Sequence, residues 1–396
     1  MTQDSCLIPL SLYIHWPFCL KKCPYCDFNS HVVNEIDQEQ WLDAFRRDMR
    51  SYAKQTGGRP LKTIFFGGGT PSLMEPFVVE GIIEEARTIW KFDNDIEISL
   101  EANPTSSEAE NFKDYRLAGV NRLSIGVQSL NDDDLSFLGR EHSADEARKT
   151  IELAKTLYDN VSFDLIYARP DQDLKSWGQE LEQALLLDPE HISLYQLTIE
   201  QGTQFFTQYQ RGDFQIPDDD LSSDLYEFTI DQLAQKGFEH YEISNFAKLG
   251  RQARHNLVYW QYDDYLGIGP GAHGRYRIGD DKRYATVAHK KPEAWLSLVD
   301  MQGHGLKTRD VIADIDAFKE MLMMGARLKQ GVAFDDFACK TGILFRDVIK
   351  KETLFPLVEN NDLEMSDDFF RLSKQGRMRL NLILEYLFGA LQHIEK

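Results

Sequence analysis

A chain of 396 residues, 42% hydrophobic and 12% aromatic, is long enough for about two or three packed domains, and it contains no apolar run long enough to cross a bilayer. Its 44 basic residues against 64 acidic ones give a formal charge of -20, which repels phosphate backbones and argues against nucleic acid as a main partner. The start, Met1 to Leu10, lacks a basic region followed by an apolar one, so secretion is not expected, and a chain with five cysteines suits the reducing cytosol.

The first strand is predicted over Leu12 to Trp16. It runs into Cys19-Leu-Lys-Lys-Cys23-Pro-Tyr-Cys26, which places three of the five cysteines within eight residues. Helical spacing follows at Trp41, Phe45, Met49 and Tyr52 and stops near Gly57-Gly58. The apolar run Ile64 to Phe66 reads as a buried strand opening into Gly67-Gly68-Gly69-Thr70-Pro71. A helix is expected around Val78 to Trp90, then a strand from Ile96 to Leu100 that ends in Glu101-Ala-Asn103-Pro104. Ser107 with Glu110 predicts the next helix start by a capping box. Strand Arg122 to Val127 ends in Gln128-Ser129, Ser143 with Glu146 opens a helix to Tyr158, and strand Val161 to Tyr167 carries Asp164. Ser176 with Gln179 predicts one more helix start, and His191 to Leu197 a sixth strand.

Six strand-helix alternations argue for parallel strands with helices outside. In a barrel the C-terminal ends of all strands share one mouth, and the polar or glycine-rich stretches here follow successive strands, so a partial (β/α)6 TIM-like barrel is favoured over a doubly wound sheet. Beyond Gln201 the alternation weakens. A helix over about Asp219 to Lys236, stopped by Gly237, precedes Arg254-His255-Asn256-Leu-Val-Tyr259-Trp260 and a glycine-rich stretch, Gly267 to Gly274. That stretch contains a formal G-x-G-x-x-G at Gly269, Gly271 and Gly274, but Pro270 interrupts it and no dinucleotide site is expected. Between Lys248 and Lys291 lies a basic island of nine Lys and Arg opposed by Asp263, Asp264, Asp280 and Asp281; it is either a solvated face or a site for a small anionic ligand. The predicted division is a core over residues 1–300, with the barrel at about 10–200 and a motif region at about 237–291, and a smaller, mainly helical C-terminal domain over 301–396. In that second domain a helix over Ile315 to Leu328, a hairpin over Asp362 to Leu372 and a terminal helix over Gln375 to His393 are expected.

Thiolates at the spacing of Cys19, Cys23 and Cys26 suit a metal ion or an iron-sulfur cluster. Three thiolates on a cubane leave one iron open, whereas a structural zinc ion needs a fourth ligand, for which His31 is the candidate.

The C-x3-C-x2-C loop after a first strand resembles the signature of radical S-adenosylmethionine proteins. Gly67-Gly68-Gly69-Thr70-Pro71, Glu101-Ala-Asn-Pro, Ser124-Ile-Gly-Val-Gln128-Ser, Gly139-Arg140-Glu141 and Asp164-Leu-Ile-Tyr167 resemble, in that order, the motifs of the oxygen-independent coproporphyrinogen oxidase family. Cys26-Asp27-Phe28-Asn29-Ser30-His31 and His255-Asn256-Leu-Val-Tyr259-Trp260 look most like its HemW branch, the heme chaperones. The resemblance implies a [4Fe-4S] cluster on Cys19, Cys23 and Cys26, and S-adenosylmethionine chelating the fourth iron. It also implies a cofactor site lined by Tyr13, Tyr25, Gly68, Gly69, Thr70, Glu101, Gln128, Arg140 and Asp164. The glycines would let backbone approach the methionyl group, the two carboxylates would accept from ribose hydroxyls or an ammonium, and Arg140 would pair with a carboxylate.

The same resemblance makes heme a ligand and heme-accepting apoproteins the partners. His255 would offer its imidazole to the iron, Tyr259 and Trp260 a flat face, and the basic island its charge to the propionates. A packed, hydrogen-bonded His255 is the other reading of that residue. His273 and the methionines Met321, Met323 and Met324 are further candidate ligands, the methionines being better suited to core packing. Decarboxylating members of the family carry another cysteine two residues after the third ligand, where this chain has Phe28. Heme binding and transfer, with no catalytic residue assigned, is therefore the expected function. Radical-based decarboxylation of coproporphyrinogen III and a zinc-binding interaction protein are the alternatives.

Overall fold

The computed structural model describes residues 8–33, 35–278 and 282–391. The sheet is built from the alternation read above. In β1 (Leu10–Trp16) Leu10, Leu12, Ile14 and Trp16 are buried on one face, while Ser11, Tyr13 and His15 take the other. The helix α1 (Gln38–Thr56) is capped by Asp37, whose carboxylate accepts from the Gln40 N–H, and its stripe Trp41, Phe45, Met49 and Tyr52 is buried. Trp16 meets this stripe directly, edge-on to Trp41 at 5.9 Å between ring centroids and stacked on Phe45 at 6.2 Å.

Repeating that unit produces β2 (Pro60–Gly68), α2 (Pro76–Ile89), β3 (Lys91–Ala102), α3 (Phe112–Ala118), β4 (Arg122–Gln128), α4 (Ala144–Leu157), β5 (Val161–Tyr167), α5 (Leu174–Leu186) and β6 (His191–Gln196). Strands β1 to β6 pair in sequence order and all in parallel. Short strands missing from the sequence reading extend the sheet at both edges. On the β6 side come β7 (Glu239–Glu242) and β8 (Asn245–Ala247), antiparallel, with β8 next to β6. The helix α6 (Arg254–Trp260) then leads to β9 (Asp264–Ile268), which pairs in parallel with β1. β10 (His273–Arg277), β11 (Arg283–Ala288) and β12 (Leu306–Val311) follow as an antiparallel meander, so this sheet runs on to Val311. The result is an α/β fold on a mostly parallel central sheet, with the order β12-β11-β10-β9-β1-β2-β3-β4-β5-β6-β8-β7.

The capping predictions divide. Ser143 and Glu146 form the expected box. At the other two starts the cap lies further upstream: Thr105 accepts from the Glu108 N–H, and Asp173 with Ser176 forms a box of its own. Both preceding residues are better placed, since each holds extended backbone just before the first turn while Ser107 and Ser176 already lie within it. The glycine-rich stretch is a turn between β9 and β10: Gly269 has φ +103°, and a Cβ there would stand 2.5 Å from the His15 carbonyl oxygen.

A second core gathers Phe318, Leu322, Phe337, Phe345, Phe370 and Leu387 among the helices that follow. Its elements include α7 (Asp314–Gly325), an antiparallel hairpin of Leu363–Met365 with Phe369–Leu372, and a last helix, Leu380–Leu391. The predicted final residues of that helix, through His393, lie outside the described residues. Polar contacts join this part to the sheet: Arg275 pairs with Glu320 at 3.0 Å and Lys340 with Asp263 at 2.8 Å.

Most of the basic island is consumed in such pairs. Lys248 meets Asp188, Arg251 Glu190, Arg254 Asp95 and Arg275 Glu320, while Arg277 and Arg283 both meet Asp264. The Asp264 carboxylate is fully buried and also accepts from Arg59 at 2.7 Å, so one anion neutralises guanidinium groups from two distant stretches of chain. Removing it strands Arg59 and Arg283 in the interior. Asp264→Ala is expected to cost about 3–5 kcal/mol in urea unfolding, and Arg277→Ala, at the more exposed edge, clearly less; equal small losses would show that the cluster is not holding this edge.

Candidate functional site

The C-terminal ends of β1 to β6 share one rim, and the predicted residues stand along it. The cysteine loop follows β1 and bends back through the Cys26 N–H donating to the Cys23 carbonyl. Cys19 and Cys23 are each tied to a different segment past a strand end: Thr70 Oγ1, after β2, donates to Cys19 Sγ at 3.4 Å, and Arg140 Nη1, in the connection after β4, to Cys23 Sγ at 3.4 Å. Burial, then the neighbouring thiols, raise the Cys19 thiol even though Thr70 opposes this, and burial chiefly raises Cys26. Bound iron would reverse that preference by favouring thiolate. Among the described residues no three His, Cys, Asp or Glu side chains converge on one ion position; thiols that serve three separate irons of a cubane need not do so. His31, the candidate fourth zinc ligand, has Nε2 at 3.3 Å from Asn29 Oδ1.

Gly68 and Gly69 are required by close packing. Gly68 has φ +118°, and a Cβ there would meet the His15 ring and the Trp16 carbonyl at 2.8 Å; at Gly69 it would meet the Phe18 carbonyl oxygen at 2.5 Å. The glycines thus let the β2 end press against the start of the cysteine loop. Gly68 N–H donates to Glu101 Oε2 at 3.2 Å. Beside it Asn103, which the sequence reading did not single out as a site residue, joins the two thiol anchors. Its Nδ2 lies 3.4 Å from Thr70 Oγ1, and its Oδ1 accepts from Arg140 Nη2 at 2.5 Å. Glu108 fixes Asn103 from behind, accepting from its backbone N–H and from Nδ2. The signal was available in Glu101-Ala-Asn103-Pro104, since a strand-end Asn two residues past a carboxylate lies on the same face.

Opposite the thiols the mouth is acidic and incompletely satisfied. Burial and then the Asp164 charge push Glu101 up to about 8, and burial pushes Asp164 up to about 6. Asp164 Oδ1 and Gln128 Oε1 are buried without hydrogen-bond partners. Gln128 is also held at φ +71°, an uncommon conformation for a side-chain-bearing residue. These orphaned acceptors fit a ligand rich in hydroxyl and ammonium donors, as S-adenosylmethionine is. Tyr13 and Tyr25 are less direct. Tyr13 donates to or accepts from His15 Nδ1 at 2.9 Å, and Tyr25 packs on Phe205 at 6.3 Å between centroids.

His255 lies on the far side of Tyr13, away from the thiols. Its ring stacks on Phe65, which in turn stacks on Tyr13. Nδ1 is 2.6 Å from Thr63 Oγ1 and Nε2 is 2.8 Å from the Tyr259 hydroxyl, so both ring nitrogens are engaged in a residue that is 1% exposed. Burial holds the imidazole neutral, lowering it to about 3. Glu97 caps α6 by accepting from the Arg254 and His255 N–H groups, and Arg327 lies over the Trp260 ring at 4.4 Å. His255, Tyr259 and Trp260 therefore clamp α6 between sheet and C-terminal domain in this conformation. Met321 is buried in the second core.

Residues 13–184 match the family described as "Radical SAM superfamily", and residues 312–379 the one described as "HemN C-terminal domain". The heme chaperone HemW of Escherichia coli is 38% identical over 96% of this chain and 98% of its own length. The mitochondrial radical S-adenosyl methionine domain-containing protein 1 of Danio rerio is 38% identical over 97% of this chain and 88% of its own. Among solved structures, coproporphyrinogen III oxidase HemN from Escherichia coli superposes with a TM-score of 0.81 at 24% identity, covering 96% of this chain and 90% of that one, a likeness of fold.

The buried carboxyls make a pH prediction. Glu101 binds its proton more tightly folded, near 8, than unfolded, near 4.5, so the protein without cofactor loses stability as pH rises through that window. Glu101→Gln is expected to raise the melting temperature at pH 8 by at least about 2 °C and to change it little at pH 4.5; a loss at pH 8 would mean that the carboxylate is paired after all.

Proposed function

The chain belongs to the radical SAM superfamily and, within it, to the family of the heme chaperone HemW, and from that premise we propose that it binds heme and passes it to acceptor proteins. The observation that carries the reading is likeness to HemW relatives over nearly the whole of both chains, including the C-terminal part. Phe28 agrees with it. Where decarboxylating members present a thiol, this chain presents an exposed aromatic ring, which can neither donate a hydrogen atom nor relay a proton.

The mouth supports a [4Fe-4S] cluster on Cys19, Cys23 and Cys26. Bound there, the cluster would supply an iron with an open position for the amino and carboxylate groups of S-adenosylmethionine. The chain's own residues do the positioning: Thr70 and Arg140 orient two of the thiols, Asn103 couples those anchors, and Glu101, Gln128 and Asp164 accept donors from the nucleoside side. His255 can reach an iron only if the bonds to Thr63 and Tyr259 are given up. No helix of the described residues is long and apolar enough to cross a membrane, and we place the protein in the cytosol, where thiols stay reduced.

Hemin titration of anaerobically reconstituted protein tests the reading: a saturable Soret change at about one heme per chain is expected, with no conversion of coproporphyrinogen III under the same oxygen-free conditions. Turnover without heme retention would reverse the two. Iron and labile sulfide in the same preparation, at about four of each per chain, separate a cluster from zinc.

A further inference from the structure

One group of side chains on the rim is used by neither the thiols nor the nucleoside acceptors. Asn29, at the end of the cysteine loop, donates through Nδ2 to the Pro270 and Lys290 carbonyls, at 3.0 Å each, and His15 Nε2 bonds the Asn29 carbonyl at 2.9 Å. A Cβ at Gly271 would fall 2.5 Å from Asn29 Nδ2, so the loop is pressed against the β9–β10 turn. This clamp holds the cysteine loop, with its exposed apolar side chains, against the turn before His273 and the backbone of Lys290. Leu20, Phe28 and Val32 expose 60%, 60% and 55% of their areas beside the thiols. The ring of His273, exposed at the start of β10, makes no hydrogen bond to a described residue, and the charge of Lys290 is among those that reach it. Lys290 and Lys291 are exposed and form no ion pair with a described residue, unlike most of the basic island. Glu293 is the acid nearest to the two lysines in sequence.

Neighbouring exposed apolar side chains on a soluble surface call for a covering partner, and unpaired ammonium groups beside them call for an anionic one. A free imidazole adds a ligand for iron. We propose that this rim is where heme docks: Nε2 or Nδ1 of neutral His273 donates its lone pair to the ferric iron and displaces water without electron transfer, Phe28 covers the macrocycle, and Lys290 and Lys291 pair with the propionates. The site rests on the reading of the chain as a heme carrier. It places heme against the cluster loop, reachable by an acceptor protein, whereas His255 stays closed within the fold.

The test is hemin titration of full-length, anaerobically reconstituted wild type, His273→Ala, Lys290→Glu/Lys291→Glu and His255→Ala, following affinity by the Soret band and the axial ligand by electron paramagnetic resonance. Expected are a roughly tenfold or greater loss of affinity and disappearance of the imidazole signature in His273→Ala, with iron and sulfide content unchanged. The double lysine variant should keep the signature, bind several-fold more weakly and lose most of its salt dependence. His255→Ala should keep the signature and melt at a lower temperature. Wild-type affinity and signature in His273→Ala would overturn the docking site and leave the heme reading standing. If wild type itself binds no hemin, both fall together.

Discussion

Parallel pairing along both edges of β1 determines where the three thiols stand. β2 on one side and β9 on the other hold every residue from Ser11 to Ile14 in unbroken register, and Trp16 locks the strand to the helical layer. A loop leaving a strand so constrained cannot slide, since a shift of one residue would turn Leu12 and Ile14 toward the mouth and Tyr13 toward the core. Gly68 and Gly69 extend the constraint by allowing β2 to close on the loop at van der Waals distance. The chemistry of the rim is thus set by backbone ladders, and the side chains there are free to be reactive.

Around this fixed point the polar groups fall into two sets. Thr70, Asn103 and Arg140 bond to one another and reach the thiols from the ends of β2 and β3 and the loop beyond β4, with Arg140 Nε left over. Glu101, Gln128 and Asp164 form the second set: both carboxyls are raised by burial, and Gln128 and Asp164 carry orphaned oxygens. Groups that bond one another position the thiols; orphaned acceptors wait for donors from a ligand. The destabilisation stored in the second set is what a donor-rich cofactor would relieve on binding.

The motif helix α6 shows how a binding motif can also be a structural joint. Its N-terminus is capped by Glu97 of β3, its histidine reaches Thr63 of β2, and its tryptophan lies under Arg327 of the C-terminal domain. The rings of Tyr13, Phe65 and His255 run as a continuous stack from the mouth to this helix. Any change at Tyr13 therefore has a packed route to α6, while the rim carrying His273 is tied to the cysteine loop through Asn29.

Much was legible in the linear chain because it depends on local periodicity. Alternation in β1, the stripe on α1, the Ser143 cap and the order of motifs at strand ends all follow from spacings of two to four residues, and they were enough to read the parallel strands and the mouth. The edge strands β7 to β12 were missed because they are three to six residues long and carry too few alternations to stand out. Two other things only tertiary structure could decide, since both depend on residues far apart in sequence. The basic island, which looked like one electrostatic feature, is divided among acids as distant as Asp95 and Glu320, which leaves Lys290 and Lys291 apart from the rest. The fate of each histidine is likewise set by what folds over it: Thr63 and Tyr259 close on His255, while the ring of His273 stays exposed and bonds to no described residue. Sequence supplies the imidazoles, but desolvation and hydrogen bonding, which are properties of the packed chain, select the one left available to a ligand.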